Sequence, residues 1–143
     1  MQTIKITSTN TKEHLASLAI REEVFTIGQR IPADIEVDEF EESSTHFLTT
    51  IDGIPAGTGR LRIKSPYIKF ERIATLNQFR GRGVGRHLME YMLEYALLNF
   101  DKLTPYMHSN IDTVAFYEKL GWMKSGDIFT ESNIPLQAMI YKI

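Results

Sequence analysis

Residues 77 to 87 read Asn-Gln-Phe-Arg-Gly-Arg-Gly-Val-Gly-Arg-His, and no other segment is so well suited to hold a ligand. Gly81, Gly83 and Gly85 alternate, so the backbone can approach a bound group closely. The helix expected from Val84 leaves its first N–H groups without intrahelical acceptors, and such groups favour an anion. Arg80, Arg82 and Arg86 add positive charge at the same place, and no carboxylate occurs between Glu71 and Glu90. The segment reads as a phosphate cradle. Its plainer reading is a tight strand-to-helix turn whose arginines face water. A Walker loop would place Lys and Ser or Thr where Arg86 and His87 stand, which argues against a nucleotide triphosphatase. The dinucleotide fingerprint fails as well, because Arg86 occupies the position of its last glycine.

Other chemistry-bearing residues are more scattered. The four histidines have no metal-ligand spacing, so no metal is expected. The absence of cysteine removes disulfides, thiolate nucleophiles, iron–sulfur clusters and cysteine-bound zinc. From Ile31 to Gly59 there is no lysine or arginine, while Asp34, Glu36, Asp38, Glu39, Glu41, Glu42 and Asp52 supply seven carboxylates. Such a run is usually a solvated loop, and the sharper alternative is a negative mouth that attracts a cationic substrate. Over the whole chain 16 basic and 18 acidic side chains give a net charge of −2, which disfavours nucleic acid and anionic membranes as partners. The N-terminal residues lack an apolar core of signal-peptide length, and no apolar run spans a bilayer, so a cytoplasmic protein is expected.

These residues must be positioned by a chain of 143 residues, the size of one domain over 1–143, with 43% hydrophobic residues to build its core. Residues 2–8 predict a strand with Ile4 and Ile6 on one face. A helix is predicted from Asn10 to Thr26, with Asn10 and Glu13 as a capping box and Leu15, Leu18, Ala19 and Phe25 as its apolar stripe. Residues 46–51 and 54–64 read as strands of a hairpin closed by Asp52-Gly53, with Pro55 and the Gly57/Gly59 pair suggesting irregularity or an edge. A strand over 69–76 precedes the glycine loop, and Val84 to Phe100 is a long helix with a Val84, Leu88, Met92, Ala96 seam. A short strand follows over 103–107, then a helix from Asn110 to Lys119 that stops at Gly121. The tail reads as one or two strands broken at Pro135. The order predicts an α/β fold, a mixed and mostly antiparallel sheet flanked by helices on both faces.

Three segments in order carry a resemblance: Glu-Arg-Ile-Ala-Thr-Leu at 71–76, Arg-x-x-Gly-x-Gly read as Arg80, Gly83 and Gly85, and Ala-Phe-Tyr-Glu-Lys-Leu-Gly-Trp at 115–122. Together they resemble the GNAT superfamily of acyl-CoA-dependent N-acyltransferases. Residues 21–29, the acidic residues around Glu36 and Asp38, His46, and residues 131–139 look like its ElaA-like branch. The branch's Glu-Gln pair is Gly28-Gln29 here, and Leu136 stands where a histidine often follows Ile-Pro. Residues 21–62 also show some likeness to acyl-homoserine-lactone synthases, whose chains are longer.

The resemblance implies transfer of an acetyl or other short acyl group from acetyl-CoA to a primary amine by direct attack. It implies that Arg80, Gly81, Arg82, Gly83, Val84, Gly85 and Arg86 hold the pyrophosphate of coenzyme A, and that backbone groups of Ala74, Thr75 and Leu76 pair with the pantetheine arm. Tyr117 matches the tyrosine that protonates the leaving thiolate. Asn110 can reach the same ligand, or simply cap its helix. Glu71 is the first choice for the general base, with a surface pair to Arg72 as its plainer role; His108 is the second choice. Glu36 and Asp38 would border the amine. A catalytically silent acyl-CoA-binding or regulatory module of the same fold is the rival, and a homodimer would be ordinary at this size.

Overall fold

The computed structural model describes residues 1–32 and 36–142, so Asp34 of the acidic run lies outside the described residues. One sheet organises the chain. Its strands are β1 (Gln2–Lys5), β2 (Thr45–Ile51), β3 (Ile54–Lys64), β4 (Tyr67–Thr75), β5 (Thr104–Asn110), β6 (Met123–Lys124), β7 (Phe129–Glu131) and β8 (Ile134–Ile140). They run in the order β1-β2-β3-β4-β5-β8-β6, with β7 also on β8. Among the described residues only β4 and β5 pair in parallel. Helix α1 (Lys12–Arg21), continued by a π-helical stretch over Glu22–Gly28, covers one face. Helices α2 (Val84–Asn99) and α3 (Val114–Lys119) cover the other. Among the described residues no helix is long and apolar enough to cross a membrane.

Turn chemistry decides the β2–β3 hairpin. Asp52 and Gly53 both have positive φ, 51° and 79°, the primed turn that matches the twist of two antiparallel strands. The Gly57/Gly59 pair lies in a central strand rather than at an edge, because the glycines make room for α2. A Cβ on Gly57 would meet Val84 Cγ1 at 2.7 Å, and one on Gly59 would meet Met92 Sδ at the same distance. The α2 face of the sheet is the main core. There Leu88, Met89, Met92 and Ala96 pack on Phe47, Leu61, Phe70 and Met107, all essentially buried.

The α1 face is different in kind. The residues that α1 buries are His14, Ser17, Ile20 and Arg21, whereas Leu15 of the expected apolar stripe is 66% exposed. Apolar periodicity misplaces this face because the sheet beneath it presents Thr58, Arg60 and His46, so polar residues on the helix find partners there. Ser17 Oγ and Thr58 Oγ1 share a hydrogen bond. The N-cap is Thr11, one residue later than Asn10, and its hydroxyl accepts from the His14 N–H at 3.2 Å. Asn110 makes no side-chain cap; a short 3-10 turn over Ile111–Thr113 leads into α3 instead. Gly121, at φ 101°, ends α3 as expected. The tail breaks at Ser132-Asn133, both at positive φ, rather than at Pro135.

Candidate active site

The site begins where two strands separate. β4 and β5 pair in register from Tyr67 with Thr104 to Phe70 with Met107. Beyond that point β4 carries a bulge, with Arg60 opposite Glu71 but Thr58 opposite Ala74, and Arg72 sits at φ 55°. β5 instead follows β8 as far as Asn110. The two strands therefore part, and among the described residues Ala74 and Thr75 make no ladder bond to β5. A gap opens between Glu71–Leu76 on one side and His108–Asn110 on the other. A linear amide chain laid in such a gap can pair with strand backbone.

Beyond the end of β4 the chain turns through Asn77–Phe79 into the glycine loop. Gly81 and Gly83 adopt φ of 77° and 83°, so side chains there would be strained. The first intrahelical bond closed at the start of α2 runs from the His87 N–H to the Gly83 carbonyl at 3.0 Å, and no side chain caps this end. The N–H groups of Val84, Gly85 and Arg86 are thus left to a ligand or water. Arg80 and Arg82 are exposed, Arg82 lying 5.6 Å over the Phe79 ring, while Arg86 donates to Glu90 at 2.8 Å. The field at the loop is positive, though Glu90 offsets Arg86. A Cβ on Gly85 would touch Phe116 Cζ at 3.4 Å, so α3 packs against the loop. Its next residue, Tyr117, is 9% exposed with its ring in the main core. Burial pushes the phenol up to about 12, so it stays protonated throughout the neutral range. The structure thus sets the loop against α3 through Phe116, with the Tyr117 ring in the main core beside it.

The acidic segment takes a form its sequence does not suggest. Glu36, Asp38 and Glu41 fold onto three arginines from different elements. Arg21 of α1 donates to Glu36 and, through both Nη atoms, to Glu41 at 2.6 and 2.8 Å. Arg60 of β3 is 1% exposed and grips Asp38 through both Nη atoms, at 2.9 and 2.7 Å, while also donating to Glu41 and to Glu71. Arg72 reaches Asp38 at 3.2 Å. Glu36 is 3% exposed. An open acidic mouth at Glu36 and Asp38 is therefore corrected: guanidinium groups largely neutralise these carboxylates, and Asp38 alone of the pair keeps substantial exposure, 24%.

Glu71 is corrected likewise. Its carboxylate takes Arg60, Arg62 and Lys69 rather than Arg72, and the bonds from Arg62 and Arg60 hold it down at about 2 against the pull of burial. Taking a proton from an ammonium near 10 would then be uphill by roughly 8 pKa units, or about 11 kcal/mol. Glu71 is an anchor of the charge layer and a poor base. Sequence reasoning missed Arg21 and Arg60, although an arginine inside a strand, between Gly59 and Leu61, signals a cation that must find buried partners.

The same layer brings two of the scattered histidines together. His14 and His46 are buried with ring centroids 4.6 Å apart, and both face Glu41. With Glu41 they form a trio of possible ligand atoms within 4.8 Å. Both Glu41 oxygens already accept from guanidiniums, so a divalent cation would meet Arg21 and Arg60 at close range. Burial keeps both imidazoles below their usual range, hence neutral near pH 7.

Stability should consequently fall in two stages on acidification. Unfolded histidines protonate near 6.5 whereas folded His14 and His46 resist, so stability is complete above 6.5 and declines below it. Glu71 and Asp38, both at about 2 in the fold, retain their contribution above about 4.5 and lose it as pH falls towards 2; for Glu71 alone this is about 3 kcal/mol. Urea titrations from pH 8 to pH 3 check this. Constant stability from pH 7 to 4 would contradict the buried-charge account.

Residues 6–143 match the family described as an acetyltransferase (GNAT) domain. The uncharacterized N-acetyltransferase YjcF of Bacillus subtilis is 38% identical over 122 residues, covering 84% of this chain and 86% of that protein. YyaT of the same organism is 35% identical over 144 residues, covering 98% and 95%. Among solved structures, an acyl-CoA N-acyltransferase from Pseudomonas aeruginosa superimposes with a TM-score of 0.87 at 24% identity, covering 99% of each chain. Escherichia coli ElaA does so with 0.87 at 18% identity, again over 99% of each. These structural likenesses show the fold.

Proposed function

Because the chain belongs to the GNAT acetyltransferase family, we propose that it moves an acetyl or other short acyl group from coenzyme A to a primary amine by direct attack. The observation that carries this reading is the parting of β4 and β5 beside a helix start whose N–H groups are free of side-chain caps. The amides of Gly81 to Arg86, with Arg80 and Arg82, suit a pyrophosphate. The open edge at Ala74–Leu76 suits the pantetheine amides, and Asn110 on the opposite wall can add a contact. On this reading the thioester carbon lies near Glu71 and His108, and Tyr117 of α3 is the donor to its sulfur. On the α1 side the amine approaches a layer in which Asp38 is already held by Arg60 and Arg72, and Glu36 acts by holding Arg21.

The chemistry asks little of the protein beyond position. An ammonium must lose one proton, its nitrogen attacks the carbonyl carbon, the C–S bond breaks, and the sulfur leaves as a thiolate near 8.5 that must be stabilised or protonated. A phenol held at about 12 serves as a hydrogen-bond donor to that sulfur rather than as a full acid, because complete transfer to a thiolate near 8.5 is uphill.

Thiol release from acetyl-CoA in the presence of polyamines, amino acids, aminoglycosides and peptides tests the reaction. A silent acyl-CoA-binding module would bind without releasing thiol. The cradle has its own test. Removing Arg82 and Arg86 together deletes two charged contacts that are exposed and partly screened, so the Kd for coenzyme A should rise about 10- to 100-fold. Calorimetric titration reads it, and an unchanged affinity would remove the pyrophosphate assignment.

A further inference from the structure

We infer that His108 is the general base that takes a proton from the acceptor amine, an assignment that rests on the proposed reaction. Residues of β5 alternate: Pro105, Met107 and Ser109 are buried towards the helices, and Tyr106, His108 and Asn110 lie on the other face. Lys69 pairs with Tyr106 and Phe70 with Met107, so the next position places His108 level with Glu71, where the strands begin to part. That is the wall of the gap nearest the acidic and basic layer from which an amine would enter.

The imidazole is built in rather than loose. Nε2 lies 2.7 Å from the Tyr106 hydroxyl, whose own ring stacks on Tyr67 at 4.5 Å. Phe129 meets the imidazole edge-on at 4.8 Å, and the side chain remains 20% exposed. The base function requires the tautomer in which Nε2–H donates to the Tyr106 oxygen and Nδ1 is left to accept. Burial raises the Tyr106 phenol, which keeps it protonated. Nδ1 stands 3.9 Å from Glu131 Oε2 on β7, close enough for the carboxylate to favour the imidazolium once formed. The charged groups that act on the ring are Lys69 and Glu71 from β4, Lys64 from β3 and Glu131 from β7; burial and the two lysines lower its pKa, and the two glutamates oppose them. His108 therefore starts neutral at pH 7.

The step balances. The ammonium gives one proton to Nδ1, its nitrogen bonds to the acyl carbon, and the C–S bond breaks. The second proton lost from nitrogen ends on the departing sulfur, and the imidazolium returns its proton to water. The net products are amide, thiol and one released proton.

The experiment is the pH dependence of kcat/KM for the best amine found, in wild type, His108→Gln and Glu131→Gln, with acetyl-CoA binding measured in each. Wild type should show an acid limb below 6.5. In H108Q, kcat at pH 7 should fall about 10²- to 10³-fold and the limb should vanish, with acetyl-CoA affinity retained. E131Q changes an exposed strand residue, so it guards against an H108Q variant that fails to fold. It should move the acid limb to lower pH by a few tenths of a unit, on the order of an exposed ion pair. Near-wild-type kcat in H108Q, or a limb that E131Q leaves in place, would overturn the assignment while the reaction stands. A wild type that releases no thiol with any amine would overturn the reaction and this inference with it.

Discussion

Replacing Arg60 by alanine should cost about 3–5 kcal/mol of unfolding free energy, a large part of the 5–15 kcal/mol typical of a domain. Arg60 is 1% exposed and its guanidinium binds Asp38, Glu41 and Glu71 at once. Its removal leaves carboxylates in a low-dielectric layer with Arg21, Arg62, Lys69 and Arg72 unable to cover every oxygen in place. The pKa values of Glu71 and Asp38 must then rise, since Arg60 is among the groups holding each down. Stability of the variant should accordingly depend less on pH between 4.5 and 2. Urea titrations at pH 7, pH 4.5 and pH 3 read both effects, and a loss below about 1 kcal/mol at pH 7 would place the pair among exposed salt bridges.

Changing Tyr117 to phenylalanine keeps the buried ring and deletes only the hydroxyl. The contribution of a positioned proton donor is typically 10²- to 10⁴-fold, and a phenol pushed up to about 12 belongs at the lower end, so kcat should fall about 10²-fold. Acetyl-CoA affinity should change little, because the pyrophosphate and pantetheine contacts are proposed for the loop and β4 rather than for Tyr117. The ring fills the same space, so the melting temperature should hold. A kcat within a few-fold of wild type would assign thiolate stabilisation to water or to a backbone N–H.

Local features were the ones the sequence made legible. The β3 strand, the Asp52-Gly53 turn and α2 follow from turn residues and a long seam that read the same in isolation as in the fold. The glycine loop is equally local. What failed was non-local. The stripe on α1 pointed to Leu15, because apolar spacing carries no information that the facing strand offers Thr58 and Arg60 to polar partners. The charge layer joins α1, residues 36–41, β3 and β4, and its pairing of Glu71 with Arg60 and Arg62 crosses from one strand to the next. A run of carboxylates looks solvent-facing until single arginines from elsewhere are folded onto it. His108 was legible as a titratable residue beside the site; its tether to Tyr106 and the proximity of Glu131 needed the register of β5, β7 and β8.

The central claim is that one opening, between β4, β5 and the start of α2, joins an acyl group to an amine. The most direct measurement follows free thiol and N-acylated amine together, by thiol titration and mass spectrometry, in one reaction of the protein with acetyl-CoA and each amine of the panel. Equal amounts of thiol and amide, formed only with protein present and suppressed about 10²-fold in Tyr117→Phe, are the expected result. Acetyl-CoA binding with neither product, or thiol released without amide, would contradict it.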